Sequence, residues 1–168
     1  MTIKIGDYLP EGVLSESLEF DPASGCPINP QTRNVLEEIK GKKIVIFAVP
    51  GAFTPTCSIK HLPGYINHYD ELKARGVDEI WCLAVNDAFV LAAWGREQKA
   101  GGKVRLLADG SASYVKSLGL ELDLIAKGMG VRSQRFALIV DNGVVTYLGV
   151  EAPGKFEVSN VEAVLAAL

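Results

Sequence analysis

The chain has 168 residues, 48% of them hydrophobic and 22% charged, with a net charge of −3. That length suits one domain with a proper core, while the weak negative charge leaves no electrostatic footprint for nucleic acid. No apolar run reaches the length that spans a bilayer. The three cysteines are too few and odd in number for a disulfide framework. The opening Met1-Thr-Ile-Lys-Ile-Gly-Asp-Tyr8 lacks a charged stretch followed by a long apolar one, so a cytoplasmic location is expected.

Gly12–Phe20 carries short alternating segments expected to form a hairpin or edge strands, and residues 21–34, rich in Pro, Gly, Asn and Ser, read as a loop. A short helix is expected over Val35–Ile39. Ile44-Val-Ile-Phe-Ala-Val49 is a buried strand, and a helix from about Cys57 to Ala74 follows it, kinked at Pro63 and ended by Gly76. Glu79–Val85 is a second buried strand. Asn86 and Asp87 are expected to cap a helix over Ala88–Lys99. Val104–Leu107 is a third strand, before a short helix near Ala112–Leu118. Phe136–Val140 and Val144–Leu148 flank Asn142-Gly143, a strong hairpin signal. Ser159 is expected to cap a last helix, Val161–Leu168.

The order β-α-β-α-β-α-β-β-α predicts an α/β chain whose early strands are parallel with right-handed crossovers, followed by an antiparallel hairpin. It is the order of a thioredoxin-like fold: a mixed central sheet flanked by helices, here with an N-terminal strand extension and an inserted segment. The whole of residues 1–168 is expected to form a single unit of that kind.

The densest chemistry lies in Pro50-Gly-Ala-Phe-Thr-Pro-Thr-Cys57, between a buried strand and a helix start. Free N–H groups and the helix dipole favour negative charge there, hence the thiolate, the reactive form of a cysteine. Thr54-Pro-Thr-Cys57 has no second cysteine, which disfavours dithiol–disulfide exchange of the thioredoxin kind. A cation is expected near the sulfur, and Gly130-Val-Arg-Ser-Gln-Arg-Phe-Ala137 offers Arg132 and Arg135. His61 lies four residues after Cys57 on the same helical face, either as a hydrogen-bonding support or as half of a metal pair. The metal reading is weak because no second pair has ligand spacing, and no metal is expected. His68 has no special context. No nucleotide loop is present, and neither haem nor flavin nor any other cofactor is implied.

Pro50, Thr54 and Cys57 fit the signature Pro-x-x-x-Thr-x-x-Cys, and the chain resembles the peroxiredoxins, thiol-dependent peroxidases. Pro50–Tyr65, together with Val85–Val90, Leu107–Gly110 and Gly130–Ala137, is similar to their type II, or fifth, subfamily. The resemblance implies that Cys57 reduces hydrogen peroxide and alkyl hydroperoxides and becomes a sulfenic acid. Arg135 matches the arginine that the family sets beside the sulfur, and its fork of donors suits a peroxide's two oxygens. Arg132 is read as a surface or interface residue. Thr54 is expected to contact the sulfur or the peroxide, and Pro50 to shield the site without adding an N–H. The resemblance also implies a homodimer and recycling by glutathione with glutaredoxin, or by thioredoxin.

The resolving thiol is open. Pro153–Ser159, where some members carry a second cysteine, has none. Cys82 sits three residues before the end of its strand, an offset of about 10 Å, whereas a disulfide needs Cα atoms within roughly 7 Å. It is read first as a buried strand cysteine and second as a resolver reached by local unfolding. Cys26, in a loop, is expected to be inert, with pairing between subunits or remote resolution as alternatives. A one-Cys cycle follows. The rivals are a redox carrier on the same fold and a non-enzymatic scaffold with a relict site.

Overall fold

Alternation along the central strands decides the layering. In β5 (Lys43–Val49), Ile44, Ile46 and Ala48 enter one core while Val45, Phe47 and Val49 enter another. The same split holds in β6 (Glu79–Ala84), with Trp81 and Leu83 against Ile80, Cys82 and Ala84, and in β10 (Phe136–Asp141), with Phe136, Leu138 and Val140 against Ala137 and Ile139. Strands apolar on both faces must be covered on both. The computed structural model, which describes residues 1–168, shows this three-layer arrangement.

The remaining elements are β1 (Val13–Glu16), β2 (Glu19–Phe20), β3 (Pro27–Ile28), β4 (Gln31–Asn34), α1 (Val35–Ile39), α2 (Leu62–Asn67), α3 (Tyr69–Ala74), α4 (Ala88–Glu97), β7 (Arg105–Ala108), α5 (Ser113–Leu118), β8 (Glu121–Leu124), β9 (Gly130–Ser133), β11 (Val144–Val150) and α6 (Val161–Ala167). The seven-stranded sheet runs β11-β10-β5-β6-β7-β1-β4. Only β5-β6-β7 are parallel, in the register Val49 to Ala84 to Ala108. Helices α2, α4 and α6 cover one face, and α1 and α5 the other. The fold is thus the expected mixed α/β sheet with an N-terminal strand extension.

Several local expectations are corrected. Residues 21–34 are not all loop: β4 pairs with β1, Leu14 opposite Arg33. Gln31-Thr-Arg-Asn34 gives no alternating signal because an edge strand can keep polar side chains in solvent. The inserted segment forms a separate hairpin, β8 with β9, which its short half-exposed strands did not announce. Pro63 does not kink the long helix, since it lies in the first turn of α2, where its missing N–H costs nothing. The irregularities are a π-turn over Cys57–His61, in which Leu62 N–H bonds to Cys57 O, and a break at His68, whose Nδ1–H donates to Gly64 O at 2.8 Å. Asn160, not Ser159, caps α6, accepting from Ala163 N at 2.9 Å. Asp87 alone caps α4. Asn142 and Gly143 both have positive φ, 46° and 89°, as a two-residue hairpin turn requires.

Candidate active site

The loop leaving β5 turns sharply into the helix that carries Cys57. Phe53 adopts φ 61°, a left-handed conformation that costs a bulky residue about 1–2 kcal/mol. Three hydrogen bonds hold the turn against that cost. Ala52 N donates to Asn86 Oδ1 at 2.9 Å, Arg132 Nη1 donates to Pro50 O at 3.1 Å, and Thr54 Oγ1 donates to Gly51 O at 2.7 Å. Helical geometry begins at residues 55–56, with Ser58 N donating to Thr54 O at 3.0 Å, so Cys57 lies in the first turn. Pro55 is suited to a first helical position by its fixed φ. Trp94 Nε1 donates to Ser58 Oγ at 3.0 Å and ties this turn to α4.

The Cys57 side chain has no exposed surface. Arg135 Nη2 donates to its Sγ at 3.2 Å, which brings a fixed positive charge to the sulfur. Arg135 Nη1 lies 2.9 Å from His61 Nδ1. A guanidinium can only donate, so Nδ1 is the acceptor and the ring proton sits on Nε2, which donates to Ser159 O at 2.9 Å. Burial and then the neighbouring Arg135 hold the His61 pKa down to about 3, so the ring is neutral at pH 7. It lies between Phe47, at 4.8 Å, and Phe156, at 5.0 Å, ring centre to ring centre. Tyr65, stacked on Phe47, donates its hydroxyl to Ser159 O at 2.7 Å. Burial raises the Tyr65 pKa, so it remains the phenol that this bond needs.

Cys57, His61 and Arg135 therefore converge. The sulfur and Nδ1 lone pairs both point at one guanidinium rather than at a shared metal position. Thr54, whose carbonyl accepts from Ser58 N, gives its hydroxyl proton to Gly51 O rather than to the sulfur, leaving its oxygen as an acceptor. Pro50 is half-buried at the start of the loop. Arg132, expected at the surface or an interface, is half-buried and braces the loop, with Nε donating to Met129 O at 2.8 Å and Nη1 to Pro50 O.

Cys82 faces the same core as Cys57, opposite Phe47 on the neighbouring strand, and all three cysteines are free thiols. Burial pushes the Cys82 thiol well up, and the nearby Cys57 adds to this. Cys26 is exposed on the loop between β2 and β3. Its neighbour Gly25 is held by Arg96, at the C-terminal end of α4, with Nη1 to Gly25 O at 2.7 Å. Asn86, just before the other end of α4, holds the motif loop.

Sequence reasoning missed Glu151, Ser159 and Tyr65 as site residues. Ser159 carried only a helix-start signal, Tyr65 entered only as the last residue of the Pro50–Tyr65 stretch, and Glu151 is a single acid after a strand with no pattern to mark it.

A buried thiol in the first turn of a helix, bridged by an arginine and set on a thioredoxin-like sheet, defines a thiol-based redox protein. The family model described as Redoxin matches residues 4–165. The chain is 49% identical over 166 residues to Peroxiredoxin-2B of Arabidopsis thaliana, covering 99% of this chain and 98% of that one. It is 51% identical to the chloroplastic Peroxiredoxin-2E-2 of Oryza sativa subsp. japonica, covering 99% and 73%. Among solved structures it is similar to reduced Prx3 of Vibrio vulnificus in complex with H2O2, with a TM-score of 0.88, 54% identity and coverage of 99% and 96%. The chain belongs to the peroxiredoxins of the Redoxin family.

Proposed function

We propose that the chain is a peroxidase of hydrogen peroxide and alkyl hydroperoxides, with Cys57 as its nucleophile and a one-Cys cycle. The observation that carries this reading is the 3.2 Å bond from Arg135 Nη2 to Cys57 Sγ. It sets a guanidinium against the sulfur and leaves donors for the oxygens of a bound peroxide. The Cys57 thiolate attacks the hydroxyl-bearing oxygen of ROOH. An S–O bond forms, the O–O bond breaks, Cys57 becomes Cys–SOH, and RO⁻ leaves and takes a proton from water. In this reading the Thr54 oxygen, whose proton is given to Gly51 O, accepts the hydroperoxide O–H, and half-buried Pro50 limits water at the entrance. The H2O2 complex of the Vibrio vulnificus relative supports this substrate class.

Glutathione then attacks the sulfenic acid, giving a mixed disulfide and water. Glutaredoxin removes the glutathione, or thioredoxin serves instead. An external thiol is favoured because the buried, protonated Cys82 is a poor nucleophile, and all three cysteines stand as free thiols. A cytoplasmic location fits such reductants. The homodimer reading draws support from exposed Phe53 and Phe89, one residue from Ala52 and three from Asn86, the two partners of the loop hydrogen bond. The test is peroxide consumption by wild type, Cys26→Ser and Cys82→Ser, with glutathione plus glutaredoxin or with thioredoxin plus its reductase. Turnover by all three with the glutaredoxin system is expected. Loss of turnover in folded Cys82→Ser would refute the one-Cys cycle.

A further inference from the structure

The mechanism above uses Arg135 but leaves open what fixes its direction. Residues after β11 provide a candidate that lies outside the reacting group. The Glu151 carboxylate, 8% exposed, gathers four donors from one short stretch of chain. Glu157 N and Val158 N donate at 2.9 Å, Ser159 N at 2.8 Å and Ser159 Oγ at 2.6 Å. These bonds keep its pKa low against the effect of burial, so it stays a carboxylate at neutral pH. Tyr147 Oη donates to Val158 O at 2.6 Å and clamps the same stretch from β11. The loop so closed sets the Ser159 carbonyl, which takes the Nε2–H of His61, and it places Phe156 against His61 and 5.9 Å from the Arg135 guanidinium carbon. At its other end, Glu151 N donates to Arg135 O at 2.9 Å. One residue thus touches the backbone of Arg135 directly and its guanidinium through two intermediates.

We propose that Glu151 is a positioning residue for Arg135, acting by closing the loop 157–159 so that Ser159 and His61 aim the guanidinium at Cys57. The inference rests on reading Cys57 as the peroxide-reacting thiol. The alternative is a structural latch, which would change stability without changing the sulfur's surroundings in the folded protein. Gly149 offers an independent way to move the loop without touching any charge. A Cβ there would overlap the Val158 carbonyl and lie 2.7 Å from Tyr147 Oη, so Gly149→Ala must lift the same stretch.

The experiment compares wild type, Glu151→Gln, Gly149→Ala and a remote core control, Ile39→Val on the other face of the sheet. Glu151→Asp replaces Glu151→Gln if the amide prevents folding. Two readouts are taken on protein with native near-ultraviolet circular dichroism. They are the single-turnover rate with hydrogen peroxide, and the pH profile of iodoacetamide alkylation at Cys57, resolved by peptide mass. Misplacing a reacting partner by about 1 Å costs roughly a hundredfold, so Glu151→Gln and Gly149→Ala are expected to slow peroxide reduction between tenfold and a hundredfold. Their alkylation profiles are expected to move to higher pH, while Ile39→Val matches wild type in both. A folded Glu151→Gln with wild-type rate and wild-type profile overturns the proposal. If wild type itself ignores peroxide, the peroxidase reading fails. A shifted alkylation profile in Glu151→Gln would still support the positioning role, and an unshifted one would overturn it.

Discussion

Acidification should destabilise this protein through His61 before any carboxylate is involved. The ring is held neutral in the fold, with a pKa of about 3 against an ordinary 6.5, because burial and the adjacent Arg135 both penalise its cation. The unfolded chain therefore binds a proton at this position across that window and the folded chain does not, so stability rises with pH there and is lost as pH falls below 6.5. Between about pH 7.5 and about pH 5 the integrated loss is about 2 kcal/mol. In this range the carboxylates with lowered values, Asp21, Glu79 and Glu151, remain largely ionised in both states and add little. The assay is urea unfolding of wild type and His61→Gln at several pH values, read by tryptophan fluorescence. Wild type should lose about 2 kcal/mol more than the variant between those pH values. Parallel loss in the two proteins would show that His61 is not held neutral, and the assignment of its Nδ1 as an acceptor from Arg135 would fall with it.

Three other expectations test separate parts of the structure. Arg135→Lys keeps the charge but loses the fork that spans Cys57 and His61, so peroxide reactivity should fall roughly a hundredfold or more, the scale set by loss of one preorganised donor; stopped-flow rates near wild type would contradict this. Gly51→Ala would set a Cβ 2.7 Å from Arg132 Nη1, so Arg132 should release the Pro50 carbonyl and the loop should become more mobile, seen as faster amide exchange over residues 51–54 with the core unchanged. Arg105 bonds Glu16, Glu38 and Glu79 at 2.6–2.8 Å, with the Glu16 side chain 3% exposed. Arg33 Nε still pairs with Glu16 at 2.8 Å, so Arg105→Met should cost about 1.5–3 kcal/mol in urea unfolding at neutral pH, the scale of a lost hydrogen bond to a charged group.

The parts of this molecule legible in sequence are those governed by local rules. Ile44–Val49 and Phe136–Val140 read as strands because runs apolar on both faces have few other uses, and Asn142-Gly143 specifies its turn through the φ values it tolerates. Cys57, Thr54 and Pro50 stood out through spacing against a strand end. Polar edge strand β4 and the β8–β9 hairpin did not, because their pairing depends on neighbours rather than on their own composition. Arg132 and Glu151 were misread or missed for a related reason. Each acts by reaching across sequence, Arg132 to Pro50 and Glu151 to residues six to eight positions on, and nothing in a lone charged residue shows where its side chain will end. The π-turn at Cys57–His61 is likewise invisible to a pattern of apolar positions, yet it belongs to the segment that presents both Sγ and Nδ1 to Arg135.

The most direct test of the central claim is the trapping of sulfenic acid. Reduced protein is treated with one equivalent of hydrogen peroxide in the presence of dimedone, digested, and mapped by mass spectrometry. The account predicts a dimedone adduct on the peptide carrying Cys57, with Cys26 and Cys82 unmodified, and no adduct in Cys57→Ser. An adduct confined to Cys26, or none on a folded wild-type protein that leaves the peroxide unconsumed, would contradict it.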